Sequence, residues 1–222
     1  MTGFNESRVH GGEAVSRRSL LIGAAASGLF AAVPRSPALA QTPQRGGHLV
    51  IGLDGASTAD NLDPASYTAS YMQSVGLQLY STLTEIDPAG KVQPGLAESW
   101  EAKPGAADWT FKLRRGVAFH NGKTLEAKDV VYSLNHHRDA QSKSGAKAYF
   151  STVTDVQASA PDMVRILLSG GNADIPYLMA DYHLCVMPEN ADPAKGIGTG
   201  AFMLDSFEPG VRTLTRRNPN YW

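Results

Sequence analysis

The chain has 222 residues, 20 basic and 21 acidic side chains and a formal net charge of −1. So even a balance excludes nucleic acid as the partner, because phosphate binding needs a basic stripe. The single cysteine, Cys185, excludes an internal disulfide, and its setting in Leu184-Cys-Val-Met187 is that of a buried strand residue rather than a reactive thiol.

Residues 1–40 read as an export signal. Arg17-Arg18 lies in Ser16-Arg-Arg-Ser-Leu-Leu21, a twin-arginine pattern, followed by a 14-residue Ala/Gly-rich apolar run from Leu20 to Val33 and by Ala38-Leu39-Ala40. The run is shorter than the ~20 residues a spanning helix needs. No cysteine follows it, which argues against a lipid anchor. Cleavage after Ala40 leaves 182 residues with 16 basic and 19 acidic side chains, a formal charge of −3. That length suits one domain or two closely joined ones.

Beyond Gly46-Gly47, Leu49, Ile51 and Leu53 alternate with His48, Val50 and Gly52, which predicts a partly buried strand. Asp54 to Pro64 is a polar loop ending Asn61-Leu-Asp-Pro64, where Asp60 and Asp63 are turn formers rather than paired catalytic carboxylates. Ala69, Met72, Val75, Gly76 and Leu79 make the buried stripe of a helix that Thr68 starts. Leu83-Thr-Glu-Ile86 is a short strand, and Asp87-Pro-Ala-Gly90 has the residues of a type I turn.

The most informative stretch runs from Gly95 to Ser133. Trp109, Phe111 and Leu113 alternate with Thr110, Lys112 and Arg114 as a half-buried strand, and Asn121-Gly122 supplies a tight reversal. The period then changes to that of an amphipathic helix, with Ala127, Val130, Val131 and Leu134 inward and Glu126, Lys128 and Asp129 on the other side and in the first turn. Glu126 is a poor N-cap. Trp100 and Trp109 flank a connection containing Pro104-Gly105 and are read as hairpin core rather than a sugar-stacking platform. Asp139 to Lys147 reads as a mobile loop ending at Tyr149-Phe150; strands are predicted over Thr152 to Ala158, Met163 to Leu168 and Leu184 to Met187, with a short helix over Asp174 to Asp181. Glu208-Pro-Gly-Val211 suits a type II turn between strands Phe202 to Phe207 and Val211 to Arg217.

In order, Gly95-Leu-Ala-Glu-Ser-Trp100, Trp109-x-Phe-x-Leu-Arg-x-Gly-Val-x-Phe-His120-x-Gly and Ala127-x-Asp-Val-Val-Tyr-Ser-Leu134 resemble the peptide- and oligopeptide-binding class of extracytoplasmic solute-binding proteins. These are the capture subunits of ATP-binding-cassette importers. Gly198-Thr-Gly-Ala-Phe202 and Arg216-Arg-Asn-Pro-Asn-Tyr-Trp222 resemble two further signatures of that class, with Ala201 where Pro is usual. The resemblance implies an α+β, periplasmic-binding-protein-like fold. It implies the start of a ligand-binding lobe over residues 41–85, an inserted mixed α/β subdomain over 86–170 and a return to the lobe over 171–222, with that first lobe incomplete and the second lobe missing. It also implies a ligand surface at Thr68, Ala69 and Ser70 and at Tyr149, the first of which the residues themselves equally explain as a helix start.

The function so implied is that of a monomeric, periplasmic binding subunit that takes a peptide or similar small solute to the permease subunits in the inner membrane, with no cofactor and no bond chemistry. The chain lacks Gly-x-Ser-x-Gly, His-Glu-x-x-His, a phosphate loop and Cys-x-x-Cys. Because the class's chains are normally longer, a truncated or fragmentary chain is expected. Two other readings stay open: a metal- or haem-binding relative, given His136-His137 with His48, His120 and His183 elsewhere, and a periplasmic chaperone-like peptide-interaction module working through exposed strand edges.

Overall fold

The computed structural model describes residues 46–222, so the export-signal reading of residues 1–40 lies outside the described residues. Residues 50–222 form one compact unit. Its elements are helices α1 (Ser70–Leu79), α2 (Ala127–Arg138) and α3 (Ile175–Leu178), and strands β1 (Thr84–Ile86), β2 (Val92–Pro94), β3 (Ala97–Ala102), β4 (Asp108–Leu113), β5 (Val153–Ala160), β6 (Met163–Leu168), β7 (Phe202–Glu208) and β8 (Arg212–Arg217). The strands make two two-stranded ribbons, β1-β2 and β7-β8, and one antiparallel four-stranded sheet in the order β3-β4-β6-β5.

The alternation in β4 sends Trp109, Phe111 and Leu113 into the core. There they meet Val164 and Ile166 of β6, Val156 of β5 and the Ala127, Val130 and Leu134 stripe of α2. Trp109 is 7 % exposed, and its indole N–H donates to the carbonyls of Asn172 (3.0 Å) and Ala106 (3.2 Å). Trp100 only half-buries against Phe111, so the two tryptophans are not equivalent members of the hairpin core. A second core gathers Leu62, Tyr67, Met72, Val75, Leu79 and Tyr80 with Cys185 and Met187, and Leu204 and Phe207 of β7 pack against it.

The predicted turns form: Gly90 N–H donates to Asp87 O, and Val211 N–H to Glu208 O with Gly210 at φ 73°, the positive value a type II turn needs at its third residue. Gly198 and Gly200 are required by close approach. A Cβ on Gly198 would lie 2.1 Å from Leu79 O, and one on Gly200 2.2 Å from Gln78 O, at the C-terminal end of α1.

Four expectations are corrected. Residues 48–53 form no strand: no ladder partner lies beside them among the described residues, and Leu49, Val50, Ile51 and Leu53 are exposed. Leu184 to Met187 is buried as expected but is not a strand, because its N–H groups go to a side chain and to irregular backbone: Leu184 to Asp181 O, Val186 to Ser81 O and Met187 to Ser133 Oγ. Thr68 does not start a helix: α1 begins at Ser70 with Ala69 as its N-cap.

The fourth concerns Asp129, which is fully buried instead of facing solvent. It accepts the Glu126 N–H (2.9 Å) and the Glu189 N–H (2.7 Å) and pairs with Lys123. The helix therefore starts with a carboxylate at its third residue supplying the cap that Glu126 itself serves poorly.

Candidate functional site

The two segments expected to face ligand stand on different elements. Pro64–Ser66 is a single 3-10 turn capped by Asp63, whose Oδ1 accepts the Ala65 N–H at 2.9 Å. The turn delivers Tyr67 into the second core, where its hydroxyl donates to Leu62 O at 3.0 Å. Thr68 and Ser70 then emerge exposed, with Ala69 half-buried as the N-cap of α1 and Ser70 Oγ donating to Asp54 Oδ1 at 2.9 Å. The helix thus begins two residues beyond Thr68, and the same geometry leaves the polar side chains of Thr68 and Ser70 at the surface.

Tyr149 belongs to a short 3-10 turn, Lys147–Phe150. Its ring packs on the main core and its hydroxyl donates to Asp181 Oδ2 at 3.1 Å. Burial, and then the adjacent Asp181 charge, push its phenol above the usual range. Asp181 Oδ1 lies 2.6 Å from His183 Nδ1, and His183 Nε2 lies 2.8 Å from the carbonyl oxygen of Tyr67, the residue before Thr68. Three contacts thus connect Tyr149 to the Thr68–Ser70 turn through Asp181 and His183. Sequence reasoning missed this pair, treating His183 as one of several scattered histidines. The available signal was Asp181-Tyr-His183 running directly into the apolar Leu184-Cys-Val-Met187.

The other histidines have distinct surroundings. His136 Nε2 is 3.0 Å from both oxygens of Asp63; the hydrogen bond to that carboxylate raises the imidazole pKa against the opposing effect of partial burial. Burial pulls the Asp63 pKa upward, but the bonds from His136 and Ala65 outweigh it and leave it lowered. His137 is fully buried, stacked at 4° on Phe150 with Nδ1 2.7 Å from Ser144 Oγ, and burial lowers its pKa to about 4. His120 receives the Gly198 N–H at Nδ1 (3.3 Å) and donates from Nε2 to Gly200 O (3.0 Å), so it is neutral and ties the two family-like motifs together. Burial lowers its pKa in keeping with that.

The Asp181–His183 pair differs from a general-base pair in what its far nitrogen meets. An Asp–His pair works as a general base when the far nitrogen faces a hydroxyl, thiol or water. Here it faces a main-chain carbonyl. Cys185 is wholly buried, and burial pushes its thiol well above the ordinary range. Among the described residues no three His, Cys, Asp or Glu side chains are grouped to hold a metal ion. Two open grooves of about 430 and 420 Å³ flank His136 and Asp139, and neither is lined by Thr68, Ala69, Ser70 or Tyr149.

Comparison with known proteins agrees with this architecture. Residues 91–222 match the model of bacterial extracellular solute-binding proteins, family 5 middle region. The chain is 28 % identical to a probable peptide ABC transporter periplasmic-binding protein of Sinorhizobium fredii, over 93 % of this chain and 40 % of that one. It is also 28 % identical to the oligopeptide-binding protein AppA of Bacillus subtilis, over 81 % of this chain and 35 % of that one. Among solved structures, MoaA of A. tumefaciens R10 in complex with mannopinic acid superposes with a TM-score of 0.68 at 27 % identity, over 75 % of this chain and 36 % of that one. The mixed α/β fold is therefore that of periplasmic binding proteins over three quarters of the chain. The chain spans about two fifths or less of the length of these relatives.

Proposed function

The chain belongs to the bacterial extracellular solute-binding proteins, family 5, and from that premise we propose that it carries one wall of a ligand cleft, formed by Thr68, Ala69 and Ser70 on one side and Tyr149 on the other. Its role is that of the substrate-binding component of an ABC transporter for peptides or similar small solutes, exported to the periplasm through a twin-arginine signal, working as a monomer and delivering ligand to permease subunits. We read residues 41–85 and 171–222 as parts of one incomplete ligand-binding lobe and 86–170 as a subdomain inserted between them. The shared core of Tyr67, Met72 and Leu79 with Cys185, Met187 and Leu204 supports the joining of the early and late segments.

One observation carries the cleft assignment: segments far apart in sequence, both placed at ligand by the family resemblance, are coupled through Asp181 and His183. Sites of this class bury most of their ligand. If one lobe supplied half the free energy of a micromolar binder, about −4.1 of −8.2 kcal/mol, the chain by itself would bind in the millimolar range. The test is therefore one suited to weak binding. The full chain, labelled with nitrogen-15, is titrated with a di- to pentapeptide pool, and in parallel with mannopinic acid, to 20-fold above a millimolar Kd. Amide shifts at Thr68–Ser70 and around Tyr149 are expected with at least one ligand. Shifts confined to other surfaces, or none, would remove the assignment.

A further inference from the structure

Each ring nitrogen of His183 has a single oxygen partner. The Tyr67 carbonyl, 2.8 Å from Nε2, can only accept, so Nε2 carries a hydrogen. Asp181 is surrounded by donors: the main-chain N–H of His183 at 2.9 Å and His183 Nδ1 at 2.6 Å on Oδ1, and the Tyr149 hydroxyl at 3.1 Å on Oδ2. With three donors around it this carboxyl group acts as the acceptor, so the hydrogen between Oδ1 and Nδ1 is assigned to Nδ1. The side chain of His183 is 8 % exposed and that of Asp181 18 % exposed.

We propose that His183 is a positioning residue, an imidazolium held by Asp181 that fixes the Thr68–Ser70 turn at a set distance from Tyr149. The proposal rests on the reading of that surface as ligand-facing. Removing the proton from either ring nitrogen would set a lone pair against an oxygen, so the ion pair holds one arrangement and excludes rotated ones. Gly145 leaves the ring its place, since a Cβ there would lie 2.9 Å from Nε2, and the tilted Tyr182 ring at 4.1 Å covers a further side. Substrate-facing groups in this protein are then set from behind by a buried charge pair rather than by loop packing alone.

The experiment uses the full chain with nitrogen-15 histidine. At pH 7 both ring nitrogens of His183 are expected in the protonated range, whereas His137, neutral in its apolar pocket, shows one bare nitrogen and serves as the internal control. A bare ring nitrogen on His183 would overturn the proposal. His183→Ala is expected to move the Thr68–Ser70 amides and the Tyr149 ring signals and to weaken peptide binding by about tenfold, the loss of a charged hydrogen bond. His183→Gln, which can again donate toward the Tyr67 carbonyl, should recover part of both. Val156→Ala, a comparably buried change on β5, controls for general destabilisation; if it moves the same signals as far, His183 is structural only and the proposal falls. Should the wild-type chain bind neither peptide nor mannopinic acid, the ligand reading fails on its own account. The ring-nitrogen, amide and Tyr149 signals then still decide whether His183 positions the turn.

Discussion

Replacing Asp129 by alanine tests the weld between the start of α2 and the segment leading to Glu189. The fully buried carboxylate receives two main-chain N–H groups, from Glu126 and Glu189, and the Lys123 ammonium, whose side chain keeps 33 % exposure. In Asp129→Ala the lysine can turn into solvent, so no charge is stranded, but two N–H donors lose a charged acceptor at roughly 1–3 kcal/mol each. The expected loss is about 3–5 kcal/mol, a large fraction of a domain's stability. With a urea m-value of about 2 kcal/mol/M, the midpoint falls by about 2 M at unchanged m. Lys123→Met should cost less, about 1.5–3 kcal/mol, because the buried carboxylate loses its cation but keeps both backbone donors. The reasoning is refuted if Asp129→Ala lies within 1 kcal/mol of wild type, or if Lys123→Met is equally costly.

Trp109→Ala should cost about 3–5 kcal/mol and Trp100→Ala about half as much or less, because only the first is a buried, hydrogen-bonded core residue; equal shifts in urea midpoint would contradict that ranking. Gly198→Ala forces a methyl to within 2.1 Å of the Leu79 carbonyl and should cost at least about 2 kcal/mol, checked by the same denaturation. His137 binds its proton less readily when folded, with a pKa of about 4 against about 6.5 unfolded. The unfolded state therefore takes up more protons below that value, and stability falls as pH drops from 6.5 toward 4. His136, Asp63, His183 and Asp181 also act on this ring, so the measurement is differential: from pH 7 to pH 5 wild type should lose about 2 kcal/mol more than His137→Gln.

Much of this fold was legible because it follows from local period and turn chemistry. The alternation of Trp109, Phe111 and Leu113 specified a half-buried strand, and the spacing of Ala127, Val130 and Leu134 specified the packed face of α2. Asp129 was misplaced for a reason that periodicity cannot supply. A charged residue on a helix is assigned outward by default, and only the tertiary arrival of Glu189 and Lys123 makes its burial favourable. Leu184–Met187 shows the complementary case: its apolarity correctly announced burial, but strand or irregular chain is decided by where the N–H groups find acceptors, here Ser81 O and Ser133 Oγ. Of the candidate site, Thr68–Ser70 and Tyr149 were reached through family resemblance. The Asp181–His183 pair joining them was not, since Tyr67 lies 116 residues away from His183 in sequence.

Four histidines illustrate why site chemistry has to be read from partners rather than composition. His120 is neutral because one nitrogen receives an N–H and the other meets a carbonyl. His137 is neutral because an apolar pocket and a serine hydroxyl offer no counterion in direct contact. His136 has a carboxylate partner at the margin of solvent, which favours the proton. His183 has a carboxylate on one side and a carbonyl on the other, so in the proposed arrangement both nitrogens donate and neither is left to take a proton from a substrate. A histidine without a free lone pair cannot serve as a base, and a buried cation fully occupied by the protein's own oxygens does not grip a ligand directly. What it can do is hold the backbone of Tyr67 and, through Asp181, the hydroxyl of Tyr149 in fixed relation, which is what the proposed ligand wall requires.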